Sequence, residues 1–290
     1  MGVVVEADAH RDARDADVGP SRHGPVRIER ILAPNPSPMT LEGTNTYILS
    51  TQTHAVVVDP GPMIDAHLGA IADAIDRAGA RQRGVLTTHA HPDHAEAAEP
   101  LAALLGCDVH ASGRGAEALL EAMDVVVVAL PGHAADHVGF VTPDRQLLTG
   151  DHVLGRGTSA IIYPEGSLEA YFASLTVVAS LEPRRLLPGH GPVVEGAHIG
   201  AVLTFLEEHR RTRIDQVREA LGEGLDLGEL VRTIYGDLGD PIVTEAAVRQ
   251  TLATLVWLGD HEAPELAERA RALVATEGPH HASLPSDEVW

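Results

Sequence analysis

Apolar positions follow two alternating rhythms as far as about residue 197 and a single helical rhythm after it. Val26 to Ala33, Tyr47 to Ser50 and Thr53 to Asp59 read as strands, the last closed by the turn Asp59-Pro60-Gly61-Pro62. Between the first two lies a Pro/Gly loop from Asn35 to Tyr47, placed where loops carry function. Ile64, Leu68, Ile71, Ala72 and Ile75 then form one helical face, with Gly79 as its stop signal. Gly84 to Thr87 and Val125 to Val128 are apolar runs of strand length, Phe140 to Thr142 and Gln146 to Thr149 a hairpin around Pro143-Asp144-Arg145, and Leu186-Leu187 a further strand. Helices are expected over Ala95 to Leu105, Gly113 to Met123 and, with Ser167 as N-cap, on to Leu181. Beyond Ala197 the pattern predicts helices over His198 to Leu221, Leu227 to Tyr235, Thr244 to Leu258 with Thr244 as cap, and Glu265 to Ala275.

The apolar runs end in chemistry. Thr88-His89-Ala90-His91-Pro92-Asp93-His94 follows one of them directly; alternation along an extended segment aims His89 and His91 the same way and leaves Asp93 and His94 for a second point. Leu130-Pro131-Gly132-His133, Leu148-Thr149-Gly150-Asp151 and Leu187-Pro188-Gly189-His190 repeat the arrangement of strand, Gly or Pro turn, then one ligand-type residue. Imidazole nitrogen and carboxylate oxygen suit zinc. His89, His91 and His133 can hold one metal, Asp93, His94 and His190 a second, and Asp151 can bridge them. Seven donors are too many for one tetrahedral ion. His137 and His152 flank ligands and read as packing or orienting groups, and His54, His67, His110 and His261 as structural or surface residues.

Composition narrows the partners. A chain of 290 residues, 44% hydrophobic, holds one to two domains with a substantial core. The net charge is −21, and all 21 basic residues are Arg, in keeping with the codon bias of a GC-rich bacterium. Such an acidic chain with 3% aromatics repels polyphosphate and has few platforms for bases, so nucleic acid is disfavoured. No apolar run is long enough to span a bilayer and no leader pattern opens the chain, so a cytoplasmic location is expected. The lone Cys107 excludes an intrachain disulfide and reads as a buried strand residue.

Together the HxHxDH stretch, the later His133, Asp151 and His190, and their order resemble the metallo-β-lactamase superfamily. Asn35-Pro36, Gly43-Thr44-Asn45-Thr46-Tyr47, Asp59-Pro60-Gly61, Asp136-His137, Leu154-Gly155, Gly191-Pro192 and His209-Arg210 with Arg213 sharpen this to the beta-lactamase-like protein 2 branch, over about Val26 to Asp260. The one departure is Ala134, where that branch commonly has Thr. The resemblance implies an α/β fold, an αββα sandwich over residues 25–197; composition and helical pattern add a flexible arm over 1–24, a winged-helix-like helical module over 198–276 and a polar tail over 277–290. It also implies two Zn2+ per chain and hydrolysis by a metal-bridging hydroxide, with Asp93 orienting the hydroxide and Asp151 bridging. The expected substrate is a small ester or thioester, anionic in character; the alternative is a phosphodiesterase or endoribonuclease acting on single-stranded RNA. Asn45 and Thr158 are candidate pocket residues, and Arg210 and Arg213 candidate anchors for a carboxylate or phosphate, whereas Arg211 and Arg218 read as a solvated face paired with neighbouring acids.

Overall fold

A computed structural model describes residues 24–282. The expected arm, apart from Gly24, and the tail beyond 282 lie outside them.

Among the described residues ten strands form two five-stranded mixed sheets. The first runs β1 (Arg27–Leu32), β2 (Asn45–Ser50), β3 (His54–Val58), β4 (Gln82–Thr87) and β5 (Asp108–Ala111), in that spatial order. In the second, β10 (Val194–Glu195) lies beside β9 (Arg185–Pro188), followed by β8 (Gln146–Gly150), β7 (Val138–Val141) and β6 (Val126–Ala129). β3, β4 and β5 are parallel neighbours, as are β8 and β9, while the remaining pairs are antiparallel.

Alternation sorts the side chains into layers. Tyr47, Leu49, Val56, Val58 and Leu86 of the first sheet meet Val138, Phe140, Leu148 and Leu187 of the second, forming the central core. Their sequence neighbours Ile48, Val57 and Val85 point the other way, onto α1 (Asp65–Ala78) and, beyond the short α2 (Pro92–Ala95), α3 (Ala98–Leu105). Val141, Leu147 and Leu186 face α5 (Leu168–Ser180), which follows the five-residue α4 (Glu117–Glu121). The result is the expected αββα order. Within the sandwich two expected helices differ: the one from Ala95 begins only at Ala98 as α3, after the separate short α2, and the one over Gly113 to Met123 shortens to α4.

After Glu195 the described residues are helical throughout: α6 (Gly196–Glu223), α7 (Leu227–Tyr235), α8 (Pro241–His261) and α9 (Pro264–Ala282). No strand pair forms a wing among them, so the winged-helix expectation reduces to a helical region. Leu206, Ile214, Leu252, Leu255 and Leu258 share one continuous core with α5 and the second sheet. α8 begins earlier than expected because Asp240, not Thr244, caps it, accepting from the Ile242 and Val243 N–H groups at 2.8 and 3.3 Å with Pro241 at the first helical position. α9 runs past Gly278 and Pro279 rather than stopping near Ala275. Among the described residues no helix is long and apolar enough to cross a membrane.

Candidate metal centre

The C-terminal ends of β4, β6, β8 and β9 lie at one edge of the sandwich, and the loops leaving them carry the ligand-type residues. Parallel pairing of β3 with β4 and of β8 with β9 fixes that polarity. Two buried donor groups result: His89, His91 and His133, and Asp93, His94, Asp151 and His190. Within each group the donor atoms all lie within 4.8 Å of one another. The groups adjoin, with His133 Nε2 3.9 Å from Asp151 Oδ2.

Each of the five imidazoles is anchored through one nitrogen, which fixes what the other offers. His133 Nδ1 donates to the Ala160 carbonyl at 2.6 Å and His190 Nδ1 to the Gly43 carbonyl at 3.2 Å. Asp59 Oδ2 accepts from His94 Nδ1 at 2.9 Å and Glu165 Oε2 from His91 Nε2 at 3.1 Å. Thr88 Oγ1 gives its proton to Asp59 Oδ2 at 2.9 Å, so at 3.0 Å from His89 Nδ1 it accepts. Five lone pairs therefore face inward. His91 Nδ1 stands 2.8 Å from His89 Nε2 and 2.9 Å from His133 Nε2, and His94 Nε2 is 3.2 Å from His190 Nε2. Converging lone pairs at these separations need a cation between them. Both oxygens of Asp93 and Oδ1 of Asp151 are buried without a hydrogen-bond donor, so the donor set fits metal ions.

The electrostatics differ between the groups. Burial, reinforced by the neighbouring imidazoles, holds His89 well below the usual histidine range and His133 down at about 4. His94 and His190 go the other way: burial lowers them, but the carboxylates beside them outweigh it, leaving His94 well above its ordinary value and His190 at about 10. Asp93 and Asp151 are held low by those imidazoles against the opposing effect of burial.

Several residues that position the site were not singled out by the sequence, where Asp59 read only as part of a turn. Asp59 adopts a left-handed φ of 54° directly after β3 and also accepts from the Thr88 N–H at 2.7 Å, tying the ligand loop to the adjacent strand. An Asp at a strand-end turn was the available signal. Glu165 and Ser159 gave none, since each acts through a partner brought near only by folding. Ser159 Oγ lies 3.3 Å from His133 Nδ1 and donates to the Asp151 carbonyl. His137 Nε2 accepts from the Asp151 N–H at 3.0 Å, an orienting contact, while His152 packs against Tyr171 with ring centroids 4.7 Å apart. Gly150 is required here: a Cβ on it would lie 2.6 Å from Thr88 Oγ1 and 2.7 Å from His137 Nε2.

The other candidate residues fall in different places. Asn45 is buried and donates to the Pro188 and Gly191 carbonyls, both at 2.9 Å, so it closes the gap between the sheets beside His190. Thr158 lines a small pocket of about 210 Å³ together with Asp151. Arg210 and Arg213 do not face the donor groups. Arg210 is 1% exposed; it donates to the Ser159 carbonyl and, at 3.0 Å, to Gln250 Oε1. Its guanidinium also lies 5.6 Å from the Tyr171 ring centroid. Arg213 covers the Tyr235 ring at 4.8 Å and donates to the Ile234 carbonyl and Gln216. A substrate fork is thus replaced by internal bracing. Arg211 pairs with Glu207, and Arg218 with Asp215 and Glu262. Cys107 is half-buried, preceding β5 at the sheet edge opposite the ligands, and burial and Asp108 raise its thiol pKa.

Comparison with known proteins agrees with this geometry. Residues 39–124 match the family model of the metallo-beta-lactamase superfamily. A beta-lactamase-like protein 2 homolog of Drosophila melanogaster is 31% identical over 253 residues, 76% of this chain and 84% of that protein. An atrochrysone carboxyl ACP thioesterase of Cryptosporiopsis sp. is 30% identical over 248 residues, 77% of this chain and 76% of that protein. Among solved structures, a metallo-beta-lactamase family protein from Thermus thermophilus superposes with a TM-score of 0.64 at 21% identity, covering 80% of this chain and 93% of its own, which speaks to the fold. With that level of identity across most of its length, and buried His/Asp groups fit to hold metal, the chain belongs to the metallo-beta-lactamase superfamily and is a hydrolase related to beta-lactamase-like protein 2 and the lactamase-like proteins.

Proposed function

We propose that this hydrolase is a dinuclear zinc enzyme that cleaves a small ester or thioester. The observation that carries the reading is the division of seven buried donors into groups of three and four, with Asp151 reaching to 3.9 Å from His133 in the other group. Imidazole and carboxylate donors suit zinc, and one tetrahedral ion cannot use seven of them. Two such ions, when bound, supply water activated to hydroxide near neutral pH and polarise the scissile carbonyl.

The chain's own groups complete the chemistry. Asp93, its buried carboxylate 3.0 Å from His190 Nε2, can orient the attacking water. Asp151, held from behind by His137 and Ser159, fixes the spacing between the two groups. No side-chain nucleophile is needed, and Cys107 stands at the far sheet edge. The relation to a thioesterase supports a thioester among the substrates.

The test is metal quantitation followed by hydrolysis of matched esters, thioesters, lactones and phosphodiesters. Two zinc ions per chain are expected, with ester or thioester cleavage lost on chelation and restored by zinc. One metal per fully loaded chain would refute the dinuclear reading. Cleavage of single-stranded RNA in the absence of ester and thioester cleavage would replace it with the nuclease alternative.

A further inference from the structure

A groove of about 350 Å³ opens beside the donor groups and has Asp93 in its wall. One bank is the loop after β1, with Pro36, Pro38 and Met39; the other is the start of α8, with Ile242 and Val243. Ile242, 48% exposed in the first turn of α8, lines the groove with its aliphatic side chain.

Apart from Asp93, the polar side chains along the groove are already engaged. Asn35 is bonded in both directions to Thr44 at 2.9 and 3.0 Å. Ser37 and Thr40 bond each other at 2.9 Å, and Thr40 Oγ1 also donates to the Asn35 carbonyl at 2.5 Å. Asp240 caps α8, and Glu96 accepts from the Met63 N–H at 2.9 Å. The charged side chains lining the groove are Asp93, Glu96 and Asp240, all carboxylates, with no Arg among them. A phosphate chain or a carboxylate would meet repulsion and find no basic partner.

We infer that this groove is the acyl subsite, taking an uncharged aliphatic chain of the substrate whose carbonyl lies at Asp93. The assignment rests on the ester and thioester reading above and replaces the anionic substrate first expected. A volume of this size lies in the range of pockets that enclose small-molecule ligands. The acyl chain enters between Met39 and Ile242, so the helical region selects the substrate while the sandwich supplies the chemistry.

The experiment compares kcat/KM for straight-chain acyl thioesters from acetyl to octanoyl, with calorimetric titration by 1-octanol as a second arm that needs no turnover. The expected result is a rise of about fourfold per added methylene until the groove is filled. Ile242→Asp flattens that slope and weakens octanol binding, its new carboxylate being tolerated at a helix N-terminus. Val256→Asp serves as the control: this side chain is 40% exposed on the same helix but about 21 Å further along. It leaves the slope and octanol binding intact. Hydrolysis with no dependence on chain length, or octanol binding equal in wild type and Ile242→Asp, overturns the acyl subsite. Octanol binding lost in Ile242→Asp, with no ester or thioester cleaved by the zinc-loaded wild type, leaves the groove standing and removes the proposed function instead.

Discussion

Arg210→Met tests whether the helical region braces the metal site. Arg210 lies on α6, and its guanidinium holds the Ser159 carbonyl and Gln250. Ser159 and the adjacent Ala160 in turn contact Asp151 and His133, one residue from each donor group. Hydrogen bonds from a charged donor contribute about 1.5–3 kcal/mol each. Two of them set a ceiling of about 3–6 kcal/mol, from which the relief of removing a buried charge is subtracted. A net loss of about 3 kcal/mol is expected, which lowers the melting temperature by roughly 6–12 °C. Because the brace acts on ligands rather than on substrate, zinc affinity measured by chelator competition falls about 10- to 100-fold, the range for losing an outer partner of a ligand. The fall in activity then appears mainly in kcat at limiting zinc and is recovered by excess zinc. Arg210→Lys keeps the charge without the fork and gives intermediate values. The reasoning is refuted if Arg210→Met leaves both zinc affinity and melting temperature unchanged while KM rises, for that would place the guanidinium on the substrate.

Asp59→Asn removes the carboxylate that accepts from His94 Nδ1, and a 10- to 100-fold loss of metal affinity at the group holding His94 should be visible by competition titration. Asp151→Ala is expected to abolish hydrolysis and weaken both metals; a variant that keeps full zinc content at limiting metal would show that Asp151 does not bridge. Cys107→Ser should retain near wild-type kcat/KM in the same assays, since its thiol lies at the opposite edge of the sheet from the ligands. His209 is pushed down to about 4 by burial and by the Arg210 and Arg213 charges. The unfolded chain therefore binds this proton first, and stability falls as pH drops from about 6.5 toward 4. His209→Gln should flatten the melting-temperature profile of the zinc-loaded protein across that window, and an unchanged profile would count against the assignment.

Local pattern was enough to locate most of the strands and the ligand-type residues at their ends, because both depend on short-range physics. A strand declares itself by alternation and by the Gly or Pro that stops it, and a ligand follows within three residues, as in Pro131-Gly132-His133 and Pro188-Gly189-His190. What holds the ligands in place was not legible in that way. Asp59 meets His94 only because β3 and β4 pair in parallel, and Glu165 reaches His91 across 74 positions of sequence. The same limit explains Arg210: the sequence offers it as a substrate anchor, yet the way α6 packs buries it as a brace, while its neighbour Arg211 pairs with Glu207 on the surface as expected. Asp240 could have been recognised as the α8 cap from the Pro that follows it. The continuation of α9 through Gly278 and Pro279 could not. There His281 reaches Glu245 of α8 at 3.0 Å, and packing against that helix outweighs local helix breakers. The sequence alone therefore located most strands and the donor residues at their ends, through periodicity and turn chemistry, while the sandwich followed from the family resemblance those residues carry. The tertiary structure alone decided their tautomers, their braces and the apolar groove beside them, since each depends on pairs of residues far apart in the chain.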